Sequence, residues 1–244
     1  MAIDDPILIR EQLVDVVEFV KSYLPLDPVV IEAGGCDGTD SVQLAQSWPA
    51  ARVYTFEPVP ELFQQICEKT AALSNVKVYP LALADSTGTT TLYLSEYYLW
   101  PGHVSGSSSL LHPKEHIIYD QTVKFSRSTE VPMITLDAWA EKEGISRADF
   151  LWLDMQGCEL HMLKKSALAK TAKAIYIEVM FIEAYRGQYL YDDVKKWMFE
   201  NGFRLAATDF EEELIQENLL TKNKYFGNAL FTSSVSTACP SYCS

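Results

Sequence analysis

Long apolar segments are missing from this sequence of 244 residues. No uninterrupted apolar run reaches the roughly 18 residues that mark a membrane-spanning helix, which argues against a helical membrane protein. The first residues, MAIDDPILIR, place acids where a signal peptide has a basic start and an apolar centre. We therefore expect a cytoplasmic protein that does not use a membrane as a partner.

Basic residues are also scarce. Lys and Arg number 20 against 33 Asp and Glu, so the formal net charge is -13. Nucleic-acid backbones and anionic lipid surfaces are bound by clustered cations. The charge balance therefore argues against nucleic acid and membranes as partners, and it leaves a small-molecule or peptide substrate open.

Cysteine and histidine form no recognisable framework. The five cysteines are an odd number and mostly scattered, so we expect reduced thiols. Cys239 and Cys243 fall in 233–244, which we predict to be a flexible tail without further metal ligands nearby. HPKEH, starting at His112, matches the H-x-x-E-H zinc pattern, but that motif needs an uninterrupted helix and Pro113 lies inside it. No third ligand is apparent, and we predict no metal site.

Strand-like and helix-like segments alternate along most of the chain. Residues 7–24 have the spacing of an amphipathic helix, and PVVIEAGG then indicates a buried strand because its apolar run is continuous. TTTLYL is predicted to pair with VKVYPLAL through the turn ADSTG. This order predicts an α/β fold with a mostly parallel sheet and helices on both faces. Further strands are predicted in RVYTF, FLWL, AIYIEV, FRLAATDF and YFGNALFTS.

One segment interrupts the alternation. Residues 95–130 are polar, aromatic and serine-rich, and so long an irregular insertion is usually functional or disordered. Its aromatic run YYLW suits stacking on a sugar ring or a peptide, with packing beneath the loop as the alternative. We predict a helical segment over 1–28 and one domain over 29–232 that contains the insertion.

The stretch VVIEAGGCDG, residues 29–38, places three glycines in a strand-to-helix turn. Glycine permits positive φ and close approach of a ligand to the backbone, and the first N–H groups of the following helix are unpaired. A dinucleotide site would show G-x-G-x-x-G, but Cys36 and Thr39 stand where its second and third glycines belong. The turn therefore fits a nucleotide-like ligand without a pyrophosphate.

Acidic residues follow three of the predicted strands, at the edge where open α/β sheets bind ligands. Glu57, about 20 residues beyond the glycine turn, is placed to accept both hydroxyls of a ribose. Asp85 is placed to accept from an adenine amino group, and Glu32 to meet an ammonium group or structural amides. Such acids favour the cationic S-adenosylmethionine and repel the phosphates of NAD or ATP. The alternative is that Glu32 and Glu57 only cap turns.

The chain resembles the FkbM-type family of S-adenosylmethionine-dependent methyltransferases. The matching pieces, in the family's order, are IEAGGCDG, VYTFEPVPELF, VKVYPLALADSTGTTTLYL, SGSSSL, ITLDAW, FLWLDMQGCELHML and IYIEV. The resemblance implies a class I methyltransferase fold, a Rossmann-like three-layer sandwich whose mostly parallel, seven-stranded sheet ends in an antiparallel strand, YFGNALFTS. Two positions depart from the family's pattern. Glu32 stands where Asp is usual, and Gln156 removes one carboxylate from D-x-E-G-x-E.

The residue pattern and the resemblance together give a set of cofactor-binding candidates. The resemblance places Asp154 near the methionine part of the cofactor and the reacting methyl group. The predicted cofactor-binding residues are Glu32, Gly34, Gly35, Asp37, Gly38, Glu57, Pro58, Ala84, Asp85 and Asp154.

Methyl transfer to a hydroxyl also requires a group that removes the hydroxyl proton. Asp154 and Glu178 follow or end neighbouring predicted strands and are candidate bases, with hydrogen bonding to loop amides as the alternative. His103 is a third candidate, Glu183 a fourth, and Ser107 to Ser109 are expected near the acceptor. We predict O-methylation of a sugar or secondary-metabolite hydroxyl. The alternatives are N-methylation of a peptide or amide, a nicotinamide-dependent oxidoreductase, and a non-catalytic adenosyl-binding module.

Overall fold

The computed structural model describes residues 7–8, 16–100, 102–211 and 225–234. The strands are β1 (Ile7–Leu8), β2 (Val29–Ala33), β3 (Arg52–Phe56), β4 (Val76–Tyr79), β5 (Ala82–Leu83), β6 (Gly88–Tyr97), β7 (Val123–Ile134), β8 (Phe150–Leu153), β9 (Ala174–Met180), β10 (Phe203–Thr208) and β11 (Phe226–Ser233). The α-helices are α1 (Val16–Val20), α2 (Thr39–Ser47), α3 (Pro60–Thr70), α4 (His116–Tyr119), α5 (Leu136–Glu143), α6 (Glu159–Leu163) and α7 (Tyr191–Glu200), and a 3₁₀ helix covers Leu168–Thr171.

The main sheet has the strand order β1-β10-β11-β9-β8-β2-β3-β4. All neighbouring pairs are parallel except those of β11, which runs antiparallel to both β9 and β10. The predicted mostly parallel sheet of seven strands with an antiparallel last strand is therefore confirmed, and β1 adds a short eighth strand at one edge. From β2 the chain adds β3 and β4 on one side of the sheet, and it later adds β8 and β9 on the other side. The point between β2 and β8, where the order reverses, is where such folds bind ligands.

The helix predicted over 7–24 is only partly correct. Residues 16–20 form α1, but residues 7–8 pair in parallel with Ala207 and Thr208 of β10. A sheet edge offers unpaired N–H and C=O groups, and pairing with them overrides the local helical pattern. Residue 233, the first of the tail predicted over 233–244, still belongs to β11. Residues 9–15 and 235–244, with the two cysteines of the tail, lie outside the described residues.

Apolar side chains cover both faces of the main sheet. Every residue of β2 is buried, because a strand in the middle of a parallel sheet has helices on both sides. Val29 and Ile31 pack in one core with α5, α6 and α7, whereas Val30 packs in the other with α1 and α2. The result is three layers. Among the described residues, no helix combines the length and apolar character needed to cross a bilayer.

Local sequence signals define α5, which follows β7 directly. The side chain of Thr135 caps the first turn by accepting the N–H of Ala138 at 3.2 Å. Gly144 ends the helix in the left-handed conformation, with φ +68°. Between these ends, Leu136 and Trp139 are buried against the sheet. The start and the end of α5 are thus determined by a capping threonine and a glycine that can be recognised in the sequence.

A second sheet, with the order β5-β7-β6, is formed by the strands that lie between β4 and β8 in the chain. It corrects two predictions. VKVYPLAL is two strands, β4 and β5, in different sheets, and TTTLYL belongs to β6, which pairs with β7 and not with VKVYPLAL. Much of 95–130 is therefore regular, since β6 ends at Tyr97 and β7 starts at Val123. The middle of β7, Ser126–Ser128, is exposed, so no alternation of apolar residues marked it as a strand.

Candidate functional site

A cavity, partly open to solvent, lies at the carboxyl ends of β2, β3 and β8. Its walls come from the turns after these strands, from β5 and from the segment between β6 and β7. The charged side chains among the described residues of its lining are Glu57 and Asp154. An acidic cavity attracts a cationic ligand and repels phosphate groups.

Gly34 begins the turn that follows β2 and forms one wall of the cavity. Its φ is +89°, and a Cβ atom there would lie 1.8 Å from the carbonyl oxygen of Asp154, so a side chain does not fit. The N–H groups of Gly34 and Gly35 donate to the carbonyl of Phe56 at 3.0 and 3.2 Å. Gly38, with φ +81°, is the N-cap of α2. Gly35 and Gly38 thus shape the turn, while Gly34 lines the cavity.

Glu57 follows β3, holds the backbone of two turns and lines the cavity, while its contact with a ribose stays a prediction. Its Oε1 accepts the N–H of Val59 at 2.8 Å, and its Oε2 accepts the N–H of Cys36 at 2.9 Å. The same carboxyl group lines the cavity, next to Pro58. Burial raises the pKa of Glu57 to about 7. Each oxygen retains a lone pair that can accept from a ligand hydroxyl.

Glu32 lies in the interior of the protein, away from the cavity lining. It is fully buried, and its Oε2 accepts the hydroxyls of Ser41 and Thr55. Its Oε1 is buried without a hydrogen-bond partner among the described residues. Burial raises the pKa of Glu32 to about 8. These contacts tie β2 to α2 and β3, and a contact with the cofactor stays a prediction.

Three other cofactor-binding candidates lie outside the cavity lining. Asp37 is exposed, where its carboxylate accepts the N–H of Thr39 at 3.0 Å and pairs with Lys69 at 2.7 Å. Ala84 is buried and donates its N–H to β7, and Asp85 is exposed. The strand just before them, β5, does line the cavity. A contact of Asp37, Ala84 or Asp85 with the cofactor stays a prediction.

Asp154 and Glu178 are brought together at the ends of neighbouring strands. Nε2 of Gln156 donates to Oδ1 of Asp154 at 2.7 Å and to Oε2 of Glu178 at 2.8 Å. Asp154 is exposed to the cavity, whereas Glu178 is buried and does not line it. Burial raises the pKa of both carboxyl groups, and the neighbouring charge of Asp154 raises the pKa of Glu178 further. Two carboxyl groups this close favour one shared proton, held by Glu178.

Glu159 adds a third carboxyl group to this pair. The oxygens of the three groups lie within 4.8 Å of one another, a spacing that a divalent cation could bridge. However, Oε1 of Glu159 accepts the N–H groups of Met155 at 2.6 Å and Gly157 at 3.3 Å. The amide of Gln156 already donates to the other two carboxyl groups. One oxygen of each of the three carboxyl groups therefore already accepts a hydrogen bond.

The remaining candidate bases lie elsewhere. The backbone of His103 belongs to the exposed tip of the hairpin after β6, and the residue does not line the cavity. Glu183 is bound by Lys114 and is likewise outside the lining. The HPKEH segment does not form the zinc-binding helix, because α4 begins only at His116 and His112 precedes it. The two histidines therefore do not share a helix face.

The serine-rich segment 105–110 closes one side of the cavity. Ser105 and Ser108 line it, and both bond to Ser95 of β6: the Oγ of Ser95 donates to the Ser105 carbonyl at 3.0 Å, and its N–H donates to the Ser108 Oγ at 3.0 Å. Of the three serines predicted near the acceptor, Ser108 thus reaches the cavity. The segment is anchored to the strand from which it departs.

Tyr185 belongs to this site although no sequence pattern indicated it. Its hydroxyl lies 2.8 Å from Oε1 of Gln156 and 2.9 Å from the carbonyl oxygen of Ser107. Ser109 Oγ donates to the carbonyl of Gln156 at 2.8 Å. The residue comes from the loop after β9, where neither periodicity nor a motif marks a side chain that folds back into the core.

Two relatives of known sequence are methyltransferases by name. The chain is 30% identical over 164 residues to "2-O-methyltransferase NoeI" of Sinorhizobium fredii, covering 66% of this chain and 67% of that protein. It is 26% identical over 164 residues to "Methyltransferase sdnD" of Sordaria araneosa, covering 58% of this chain and 61% of that protein. The aligned part therefore leaves about a third or more of each relative unmatched.

The chain is also weakly similar to two solved structures. One is a SAM-dependent methyltransferase from Aquifex aeolicus, with a TM-score of 0.42 and 13% identity over 89% of each chain. Another is TrmK of M. capricolum bound to S-adenosyl-homocysteine, with a TM-score of 0.44 and 8% identity over 91% of this chain and 69% of that chain. The family assignment comes from the sequence itself. The model of the methyltransferase FkbM domain matches residues 32–205, and the chain therefore belongs to the FkbM methyltransferase family.

Proposed function

We propose that this protein transfers the methyl group of S-adenosylmethionine to a hydroxyl oxygen of a sugar or secondary metabolite. The observation that carries the proposal is the position of Asp154: it lines an acidic cavity, and its backbone carbonyl packs against the glycine turn. The name of one relative, a 2-O-methyltransferase, supports oxygen as the acceptor atom.

The described lining fits S-adenosylmethionine. Glu57 offers both carboxylate oxygens to the ribose hydroxyls while its backbone donors keep it in place. Gly34 lets the ligand approach the backbone, and the acidic lining complements a sulfonium and an ammonium group. When bound, S-adenosylmethionine supplies a methyl group that is already activated by its positively charged sulfur.

Asp154 acts as the base toward the acceptor. As the acceptor oxygen bonds to the methyl carbon, the bond between that carbon and sulfur breaks, so that S-adenosylhomocysteine is the leaving group. The acceptor O–H bond also breaks, and its proton passes to the carboxylate of Asp154, which later releases it to solvent. Gln156 holds that carboxylate with an N–H donor. Glu178 keeps its own proton, because a second negative charge this close would be unfavourable. The protein otherwise contributes proximity and alignment.

The acceptor is a neutral compound that carries hydroxyl groups. Phosphate or carboxylate groups would be repelled by Glu57 and Asp154, and the charged side chains of the described lining are all acidic. Ser105 and Ser108 place hydroxyl-bearing residues in the same wall. These features favour a polyhydroxylated acceptor over a phosphorylated one.

Two measurements test the proposal. Calorimetric titration should show micromolar binding of S-adenosylmethionine and S-adenosylhomocysteine and no binding of NAD. Incubation with S-adenosylmethionine and panels of neutral glycosides, phosphorylated sugars and peptides should then release S-adenosylhomocysteine only with the glycosides, and NMR of the product should show an O-methyl group. An N-methyl product from a peptide would replace O-methylation with N-methylation. NAD binding, or cofactor binding without turnover on any panel, would contradict the proposal.

A further inference from the structure

Gln156 stands between two carboxyl groups and a phenol. One side of its amide donates to Asp154 and Glu178, at 2.7 and 2.8 Å, and the other side accepts from Tyr185 at 2.8 Å. The residue itself is 8% exposed. Both N–H bonds and the carbonyl oxygen of the amide therefore have partners, which leaves the side chain no second position of equal energy.

Charge determines which way the amide points. In the opposite orientation, Oε1 would face two carboxyl oxygens, and three acceptors at hydrogen-bond distance repel one another unless protons lie between them. With Asp154 ionised, the observed orientation avoids that repulsion and gives the carboxylate an N–H donor. A donor to the ionised form favours ionisation. Gln156 therefore helps to keep Asp154 ready to accept a proton.

Tyr185 holds the far side of the amide and links it to the serine-rich segment. Its hydroxyl has one proton and two acceptors within reach, Oε1 of Gln156 and the carbonyl of Ser107. Ser109 Oγ also donates to the backbone carbonyl of Gln156. The serine-rich segment 105–110 is thus hydrogen-bonded both to Gln156 and to Tyr185.

The backbone at Gln156 is held in an unfavourable conformation. Its φ is +53°, in the left-handed region that residues with a side chain seldom adopt, and Gly157 follows with φ +95°. A Cβ atom on Gly157 would lie 3.2 Å from Cβ of Gln188 and 3.3 Å from the ring of Tyr185. Such conformations persist where the surroundings impose them, and they concentrate at functional sites.

The charged groups that face the two carboxyl groups are all acidic, so none offsets their negative charge. The ring of His116 lies 5.4 Å from that of Tyr185, but burial lowers the pKa of this histidine and keeps it neutral. The titratable groups that act on Asp154, Glu178 and Tyr185 from neighbouring elements are Cys36, Asp40, Glu57, Glu159, Tyr176, Asp209 and Tyr225.

We propose that Gln156 is a positioning residue for methyl transfer: its amide, oriented by Tyr185, holds the Asp154 carboxylate beside protonated Glu178 where the acceptor proton arrives. The inference rests on the proposed function, since it assigns a role within that reaction. It also explains why an amide can replace the carboxylate usual at this position. The amide of Gln156 donates hydrogen bonds to the carboxyl groups of Asp154 and Glu178. A carboxylate at position 156 would instead repel both of them.

The test compares Tyr185→Phe, which removes only the hydroxyl, with Tyr225→Phe. Tyr225 is buried in the same aromatic cluster and contacts the ring of His116, so its variant controls for packing. In Tyr185→Phe we expect kcat to fall about tenfold, within the range that general-base catalysis contributes. The midpoint of the pH–kcat profile should move upward, because a loosely held amide stabilises the Asp154 carboxylate less. The Tyr225→Phe profile should match the wild type, and both should bind S-adenosylmethionine normally.

A spectroscopic readout does not depend on turnover. The side-chain ¹⁵N–¹H₂ signals of Gln156, assigned by their loss in Gln156→Glu, should shift with pH in the wild type as the carboxyl pair titrates. Signals that do not move with pH, or a Tyr185→Phe profile identical to the wild type, would overturn the positioning role. If no acceptor is methylated by the wild type, the proposed function fails, while the NMR titration still tests whether the Gln156 amide is bonded to the titrating carboxyl pair.

Discussion

A Cβ atom on Gly34 would lie 1.8 Å from the carbonyl oxygen of Asp154, so the turns after β2 and β8 meet backbone to backbone. No side chain fits between them, and the φ of +89° at Gly34 is itself unfavourable for any other residue. This contact places the glycine turn against the proposed base. The shape of the cavity therefore depends on position 34 being a glycine.

Gly34→Ala is therefore expected to separate the two turns and abolish measurable binding of S-adenosylmethionine. The loss of stability should exceed the roughly 1 kcal/mol that a positive φ alone costs alanine. Urea unfolding and calorimetry provide the two measurements. Gly144→Ala is a matched control, since its φ is +68° but nothing lies within 4 Å of the added Cβ. It should lose only about 1 kcal/mol and bind the cofactor normally; normal binding by Gly34→Ala would contradict the contact.

Glu57→Gln is expected to weaken binding of S-adenosylmethionine by about 2 kcal/mol, since hydrogen bonds to a charged acceptor become bonds to a neutral amide. In the wild type, affinity should rise as the pH increases through about 7, because the ionised carboxyl group is the better acceptor for ribose hydroxyls. Calorimetry at several pH values measures both effects. Asp37→Asn, in the glycine turn that contacts Glu57 through Cys36 but outside the cavity lining, should bind like the wild type.

Glu32 should make the protein less stable as the pH rises. Burial raises its pKa in the folded state to about 8, above the ordinary value of 4.5, so the folded protein holds a proton that the unfolded chain has released. The contribution of Glu32 is therefore fully present below about pH 4.5 and is lost as the pH rises toward about 8. Urea unfolding of Glu32→Gln should show a smaller decline across this window than the wild type. Parallel curves for the two proteins would show that Glu32 does not titrate in this way.

Asp154→Asn should lower kcat by a factor of about 10² to 10⁴, the usual contribution of a general base. The asparagine keeps the size of the side chain but cannot accept the acceptor proton. His103→Gln is the matched comparison, since His103 was a candidate base from the sequence but lies outside the cavity lining. Its kcat should equal that of the wild type. A large loss in His103→Gln with little loss in Asp154→Asn would reverse the assignment.

Removal of divalent metals should leave activity unchanged. One oxygen of each of Asp154, Glu159 and Glu178 already accepts an N–H donor, which leaves these carboxyl groups fewer lone pairs for a cation. Methyl transfer measured after exhaustive chelation should equal that of untreated protein, and added Mg²⁺ or Mn²⁺ should not increase it. Restoration of a lost activity by one of these ions would assign the cluster as a metal site.

Features formed by residues close in the chain were predictable. The buried strands, the glycine turn and the position of Glu57 all depend on short-range patterns, namely continuous apolar runs and glycines between a strand and a helix. Because every strand of a parallel sheet ends at the same edge, Asp154 and Glu178 could be expected at one site before the structure was known. Glu32 could not be placed, since a carboxylate at the end of a strand can face either the crevice or the interior.

The amino-acid sequence alone was enough to indicate the family, the sheet and the acidic pocket, since these follow from local periodicity and from motifs that keep their spacing. The tertiary structure alone brought Tyr185, Ser107 and Gln156 into contact and paired β6 with β7. Those contacts join segments far apart in the chain. Hydrogen bonds between residues so far apart in the chain depend on the whole fold, and the sequence around each residue does not predict them.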